Sequence, residues 1–189
     1  MYHYGKEISY DYALLKVEDF DSLQPFACKN EVLDEHIHTK LIEDNQVNNE
    51  DGLYFRYFDT QNQNTIAIVS LAASGILFRM SNFTQTLPAI KIDILAADKN
   101  YQKIHYDEDS EKATDSSEHY YFMDDIMGTI INHIRRISEE FALVEYIILY
   151  AAKDAYHFYE RNGFSDYTEY MEAECNQKIR DNIPMFFKL

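Results

Sequence analysis

The chain has 189 residues, enough for one domain with a hydrophobic core and short for two. Its formal net charge of −16 repels nucleic acid and anionic membranes, and no run of Lys and Arg offsets it: Arg135 and Arg136 are followed by Glu139 and Glu140. Five Gly and three Pro exclude low complexity and long flexible linkers, while sixteen Tyr and twelve Phe with no Trp predict a core rich in rings.

Tyr12, Leu14, Leu15 and Val17 predict a first strand within residues 10–17. Residues 19–28 read as a turn and a short helix. Asn30 is placed to cap the next helix, where Leu33, Ile37 and Leu41 recur every four residues over about four turns. The polar residues 45–52 end it. Residues 53–58 and 65–73 predict two strands joined across the turn cluster 59–64. Residues 74–88 are ambiguous. Ile90, Ile92 and Ile94 alternate with Lys91 and Asp93 in a strand that ends near Ala97. Residues 99–119 are acidic and nearly without apolar period. Met123, Ile126 or Met127, Ile130, Ile134, Ile137 and Phe141 mark a long amphipathic helix with a core-facing stripe. Residues 144–152 are almost all apolar, the pattern of a strand covered on both faces. A short helix over 153–162 stops at Asn162 and Gly163. Strands are expected at 168–173 and 182–189.

This order makes an α/β chain with a mixed sheet. The strand–helix–strand unit of residues 90–152 requires a right-handed crossover and a locally parallel pair. Cys28 and Cys175 match no metal-ligand spacing and read as free thiols of a reducing compartment. The N-terminal residues lack the basic and apolar regions of a signal peptide, and no apolar stretch reaches membrane-spanning length. The expectation is a cytoplasmic protein without a membrane segment or a metal. His36, His38, His105, His119, His133 and His157 form no ligand pattern, and the acidic loop lacks calcium-loop spacing.

Residues 92–102, Ile-Asp-Ile-Leu-Ala-Ala-Asp-Lys-Asn-Tyr-Gln, are similar to the I-x-x-L-A-V-D-x-x-Y-Q central strand of the GNAT acetyltransferases. Residues 155–164, A-Y-H-F-Y-E-R-N-G-F, resemble that family's A-x-x-F-Y-E-x-x-G-F helix. Residues 26–34, F-A-C-K-N-E-V-L-D, resemble the F-x-C-x-N-x-x-L-D-x-x-L opening of a branch that includes toxin–antitoxin acetyltransferases. The resemblance covers essentially the full chain. It implies one GNAT-like domain over residues 1–189, with an acidic loop insertion at about 103–119. The sheet would be mixed and mostly antiparallel, with a central parallel pair that splays and helices on both faces.

The resemblance also implies chemistry. Acetyl-CoA would donate its acetyl group directly to an amine of a small molecule or a protein. Tyr159 takes the place of the tyrosine that protonates the departing thiolate; a phenol with a reference pKa of about 10 stays protonated at neutral pH. Asp93 and Glu145 are candidate bases by strand position. Backbone groups of Leu95, Ala96 and Ala97 would carry the pantetheine arm, with Gln102 and Phe158 also on the cofactor's side. Family members often form homodimers. Each residue has a plainer reading too: Tyr159 as one tyrosine of the core, Asp93 and Glu145 as solvent-facing strand residues.

Two positions depart from the family. Its central strand is followed by Q/R-x-x-G-x-G/A, whose glycines let backbone N–H groups close on a diphosphate at a helix N-terminus. Aligning Gln102 puts His105 and Asp107 on the glycine positions, and no glycine occurs between Gly75 and Gly128. Ala152 stands where many members carry an Asn that reaches the pantetheine. Three outcomes follow: a displaced anion site at Ser116, Ser117 and a helix start near His119; weak binding through the pantetheine alone; or a silent scaffold used as a binding or interaction module. The opening segment adds a toxin-like activity on charged tRNA, which the net charge opposes, so nucleic acid is not the expected partner.

Overall fold

The computed structural model describes residues 2–3, 6–43, 52–80, 83–105, 121–141, 143–168 and 182–189, and all that follows concerns these. They belong to two compact units, Met1–Ala72 with Ile94–Met123, and Ala73–Asp93 with Asp124–Leu189.

In the first unit, β1 (Tyr2–His3) and β2 (Lys6–Glu7) form a small antiparallel pair. The apolar and aromatic runs form β3 (Tyr10–Leu14), β4 (Leu53–Asp59) and the start of β5 (Thr65–Met80), paired antiparallel in that order. A helical turn, Val17–Asp19, leads into α1 (Phe20–Leu23). The next helix starts where expected, because the Asn30 side chain accepts from the N–H groups of Val32 and Leu33 at 3.1 and 3.2 Å. It does not stay α-helical: α2 (Glu31–Glu35) widens into a π-helical stretch, His36–Glu43. The apolar stripe survives, since residues four apart still share a face in the wider turn. Ile37 and Leu41 are fully buried with Leu15, Leu23, Phe26, Tyr54, Ile68 and Ala96, and Leu33 packs on that cluster. Asn30→Ala is expected to lower stability by about 1 kcal/mol, measured as a fall in the urea midpoint at unchanged slope.

The second unit is built on α3 (Phe122–Glu140), which runs in from the first unit, with β7 (Tyr146–Ala152), α4 (Tyr156–Arg161), β8 (Ser165–Asp166) and β9 (Asn182–Lys188). Strand β6 (Phe83–Ala97), like β5, contributes to both units. The sheet order is β3-β4-β5-β6-β7-β9-β8. It is mixed and mostly antiparallel, and the expected parallel pair is β6 with β7. Between β6 and β9, β7 buries Ile147, Ile148, Leu149 and Ala151, which explains its unbroken apolar run. On α3, Ile126, Ile130 and Ile134 are fully buried; Phe141 lies past the helix end and is 82% exposed, so it is not the last member of that stripe.

The ambiguous residues 74–88 belong largely to β5 and β6. Their pattern is weak because Ala73, Ser74, Leu77 and residues 83–86 are exposed, so burial does not alternate there. Gly75 permits the close approach: a Cβ on it would lie 2.7 Å from Thr86 Cγ2 and 3.2 Å from the Leu87 carbonyl oxygen. The expected strand at 168–173 falls, past Thr168, outside the described residues, and β8 is too short to show a period.

Candidate active site

The motif of residues 155–164 is a capped helix. The Phe164 N–H donates to the Tyr159 carbonyl at 3.1 Å and the Gly163 N–H to the Glu160 carbonyl at 3.0 Å. That is the Schellman pattern, and it needs a left-handed residue at its centre; Gly163 has φ +87°. The apolar contact that accompanies this cap is also present, with the Phe164 and Tyr159 rings edge to face at 5.7 Å. Phe158 meets Tyr159 at 5.1 Å. Tyr159 is therefore fixed by its backbone and by contacts with two rings, and only 9% of it is exposed. Burial alone pushes its phenol well above the ordinary tyrosine value.

α4 follows β7 directly, through a single helical turn, Lys153–Ala155. The parallel register of β6 and β7 covers Ala89↔Tyr146, Ile90↔Ile147 and Lys91↔Ile148, yet β6 continues to Ala97 and β7 to Ala152. Asp93 lies on that continuation of β6, exposed, with Lys91 Nζ 2.5 Å from its carboxylate. Glu145 lies elsewhere. It precedes β7, its N–H donates to the Pro88 carbonyl, and it lines a cavity of about 310 Å³ with Arg135, Ser138, Glu139 and Lys188. β7 has seven residues, so about 23 Å of strand at ~3.3 Å per residue separates Glu145 from the turn into α4. Glu145 and Tyr159 are not brought together. Ala152, in place of the family's Asn, pairs across the sheet with Asn182.

In the first unit, Leu95 and Ala97 are half-buried and Ala96 is buried. Gln102 turns back on this strand: its Nε2 donates to the Ala97 carbonyl at 2.9 Å. Asp98 ends the strand as a turn residue, its carboxylate accepting from the N–H groups of Asn100 (2.8 Å) and Ala27 (3.0 Å). The opening motif explains itself here. Phe26 is buried, Cys28 bridges Asp98, the Cys28 N–H donates to Asp34 at 2.6 Å, and Asn30 caps the helix. Its patterned residues tie the segment to the end of β6.

His105 and Tyr121 form a backbone bridge, and the Phe122 N–H donates to the Ile104 carbonyl at 2.9 Å. Asp124 and Asp125 occupy the first helical turn, where the macrodipole favours an anion. Ser116, Ser117, His119 and Asp107 lie outside the described residues. Sequence reading missed Asp124, which bonds to Arg161 of α4 and to Asn162 just past it; an acid in a first helical turn was the available signal.

No family model matches the chain, and no curated protein matches it in sequence. Solved structures do match in fold. A bacterial toxin aligns with TM-score 0.67 at 17% identity, over 96% of this chain and 92% of that one. AtaT complexed with acetyl-methionyl-tRNAfMet aligns with TM-score 0.62 at 15% identity, over 95% of each chain. A tyrosine-to-phenylalanine mutant of AtaT, bound to the C-terminus of the antitoxin AtaR and acetyl-CoA, aligns with TM-score 0.61 at 16% identity, over 95% and 92%. The chain has the GNAT acetyltransferase fold. No described helix is long and apolar enough to cross a membrane.

Proposed function

We propose that the protein is an N-acetyltransferase that moves an acetyl group from acetyl-CoA to an amine of a small molecule or protein. The observation that carries this reading is Tyr159, a buried phenol on a Schellman-capped helix that directly follows β7. Acetyl-CoA, when bound, supplies the acetyl group as a reactive thioester. As the amine nitrogen bonds to the acetyl carbon and the carbon–sulfur bond breaks, Tyr159 gives its proton to the departing sulfur. Asp93 takes the amine's proton; its place on β6 beyond the register shared with β7 favours it over Glu145. Backbone groups of Leu95, Ala96 and Ala97 serve the pantetheine arm, and Phe158 holds the Tyr159 ring.

Two observations at the start of α3 weigh against a diphosphate grip. The helix's first N–H group is taken by Ile104, and two carboxylates stand in its first turn. Affinity in this reading comes from the pantetheine arm, so S-acetylpantetheine should replace acetyl-CoA with less than about a tenfold loss in kcat/KM, roughly 1.4 kcal/mol.

A second reading, an aminoacyl-tRNA acceptor, is favoured by the likeness to AtaT bound to acetyl-methionyl-tRNAfMet and opposed by the net charge of −16. One assay separates the readings: thiol release from acetyl-CoA with polyamines, peptides and aminoacylated tRNA as acceptors, beside melting curves in millimolar acetyl-CoA. Release with small amines or peptides is expected. Release with tRNA alone would move the assignment to the second reading. Neither release nor a melting shift would leave a scaffold without catalysis.

A further inference from the structure

We infer that Asp124 is a positioning residue for Tyr159, an inference that rests on the N-acetyltransferase reading for its catalytic meaning. The Asp124 side chain is 7% exposed. A carboxylate buried to that degree is costly unless it is paired and fully hydrogen-bonded. Two of its partners, Arg161 and Asn162, stand at the end of α4. Arg161 Nε donates to both carboxylate oxygens, at 3.0 and 3.2 Å. Asn162 Nδ2 donates to Oδ1 at 2.8 Å and to the Phe158 carbonyl at 2.7 Å. The Arg161 guanidinium also lies over the Phe158 ring, 5.4 Å from its centre.

Asp124 thus holds α4 just past Tyr159 in sequence, at Arg161 and Asn162, and these two residues in turn bear on Phe158, just before it. The helix has six residues, too few for intrinsic propensity to hold it. The Schellman cap fixes where the helix stops but leaves its rotation about its own axis to side-chain contacts. The phenol oxygen stands at the end of a long side chain, so a rotation of a few degrees covers much of the ~1 Å that separates a productive from an unproductive geometry. Asp124 sits at the start of a nineteen-residue helix, α3, whose Ile126, Ile130 and Ile134 are fully buried, and so offers a rigid anchor. The carboxylate touches no reacting atom in this scheme; it acts through the helix.

The test uses Asp124→Ala, Asp124→Asn, Arg161→Lys and Asn162→Ala in the full chain. Each is measured for acetyl transfer and, separately, by 19F NMR with 3-fluorotyrosine placed at position 159 alone. Asp124→Ala should lower kcat by on the order of tenfold or more, with the KM for acetyl-CoA moving less than about threefold. Its fluorine resonance should shift or broaden. Asn162→Ala should do both to a smaller extent. Asp124→Asn keeps an acceptor for Arg161 and should recover part of the rate. If Asp124→Ala does not fold, Asn162→Ala and Asp124→Asn carry the comparison. An unchanged kcat and an unchanged fluorine spectrum, whatever the melting temperature does, would overturn the inference. If the parent protein transfers no acetyl group at all, the N-acetyltransferase reading fails, while the fluorine comparison still decides whether Asp124 sets the Tyr159 ring.

Discussion

Replacing Tyr159 by Phe is expected to lower acetyl transfer by roughly 100- to 10,000-fold while leaving acetyl-CoA binding and the melting temperature close to those of the parent. The change removes one oxygen. The Phe ring keeps the edge-to-face contacts with Phe158 and Phe164, and the cap that closes α4 runs through the backbone. Fold and cofactor affinity are therefore separated from proton donation in this single variant. Because burial raises the phenol's pKa, Tyr159 stays protonated across the range in which amine acceptors lose their protons. The rate should rise with pH as the amine deprotonates and show no fall from Tyr159 itself below about pH 10. Steady-state rates with the best acceptor, beside a melting curve in acetyl-CoA, check both halves. A variant within about threefold of the parent would return Tyr159 to the core and take the general acid out of the mechanism.

Much of the architecture was legible because it rests on burial, which leaves a period. The apolar run of 144–152 reads as a central strand, and β7 is one, between β6 and β9. The alternation of Ile90, Ile92 and Ile94 gave the strand, and the crossover rule gave its parallel partner. The N-G-F ending was legible for a different reason: a Schellman cap is local, so its glycine and its following ring must appear at fixed places. What stayed hidden were facts of tertiary contact. Residues 74–88 carry little alternation because much of that hairpin is exposed, and the π-helical widening at His36 changes the winding without disturbing the i, i+4 stripe. Gln102 matches a cofactor motif by spacing, yet its side chain returns to Ala97. Glu145 matches a strand position, yet the length of β7 sets it far from α4. Asp124 has no motif, and its role depends on where α4 ends.

Phe164 should prove the most sensitive single side chain at the Tyr159 end of the second unit. It is 3% exposed and packs against Tyr159 at 5.7 Å and Phe187 at 5.4 Å. Its neighbour Gly163 brings the turn close to the same ring: a Cβ there would stand 3.1 Å from Phe187 Cε2. The site is thus filled from the backbone side as well, and cannot collapse onto a smaller residue without moving the cap. Phe164→Ala is expected to cost about 3–5 kcal/mol, a large share of the roughly 5–15 kcal/mol that holds a typical domain together. Phe164→Leu keeps most of the volume and should cost under about 1.5 kcal/mol. Urea midpoints at constant slope read both. The two variants also connect stability to the proposed chemistry. Leu at this position preserves the backbone cap and the apolar contact at its end, so it should keep most of the acetyl transfer; Ala removes the ring that bounds Tyr159 on one side and should lose rate even where the protein is still folded. An Ala variant that costs under about 1 kcal/mol would show that α4 is held by the Asp124 contacts and the backbone cap without the ring.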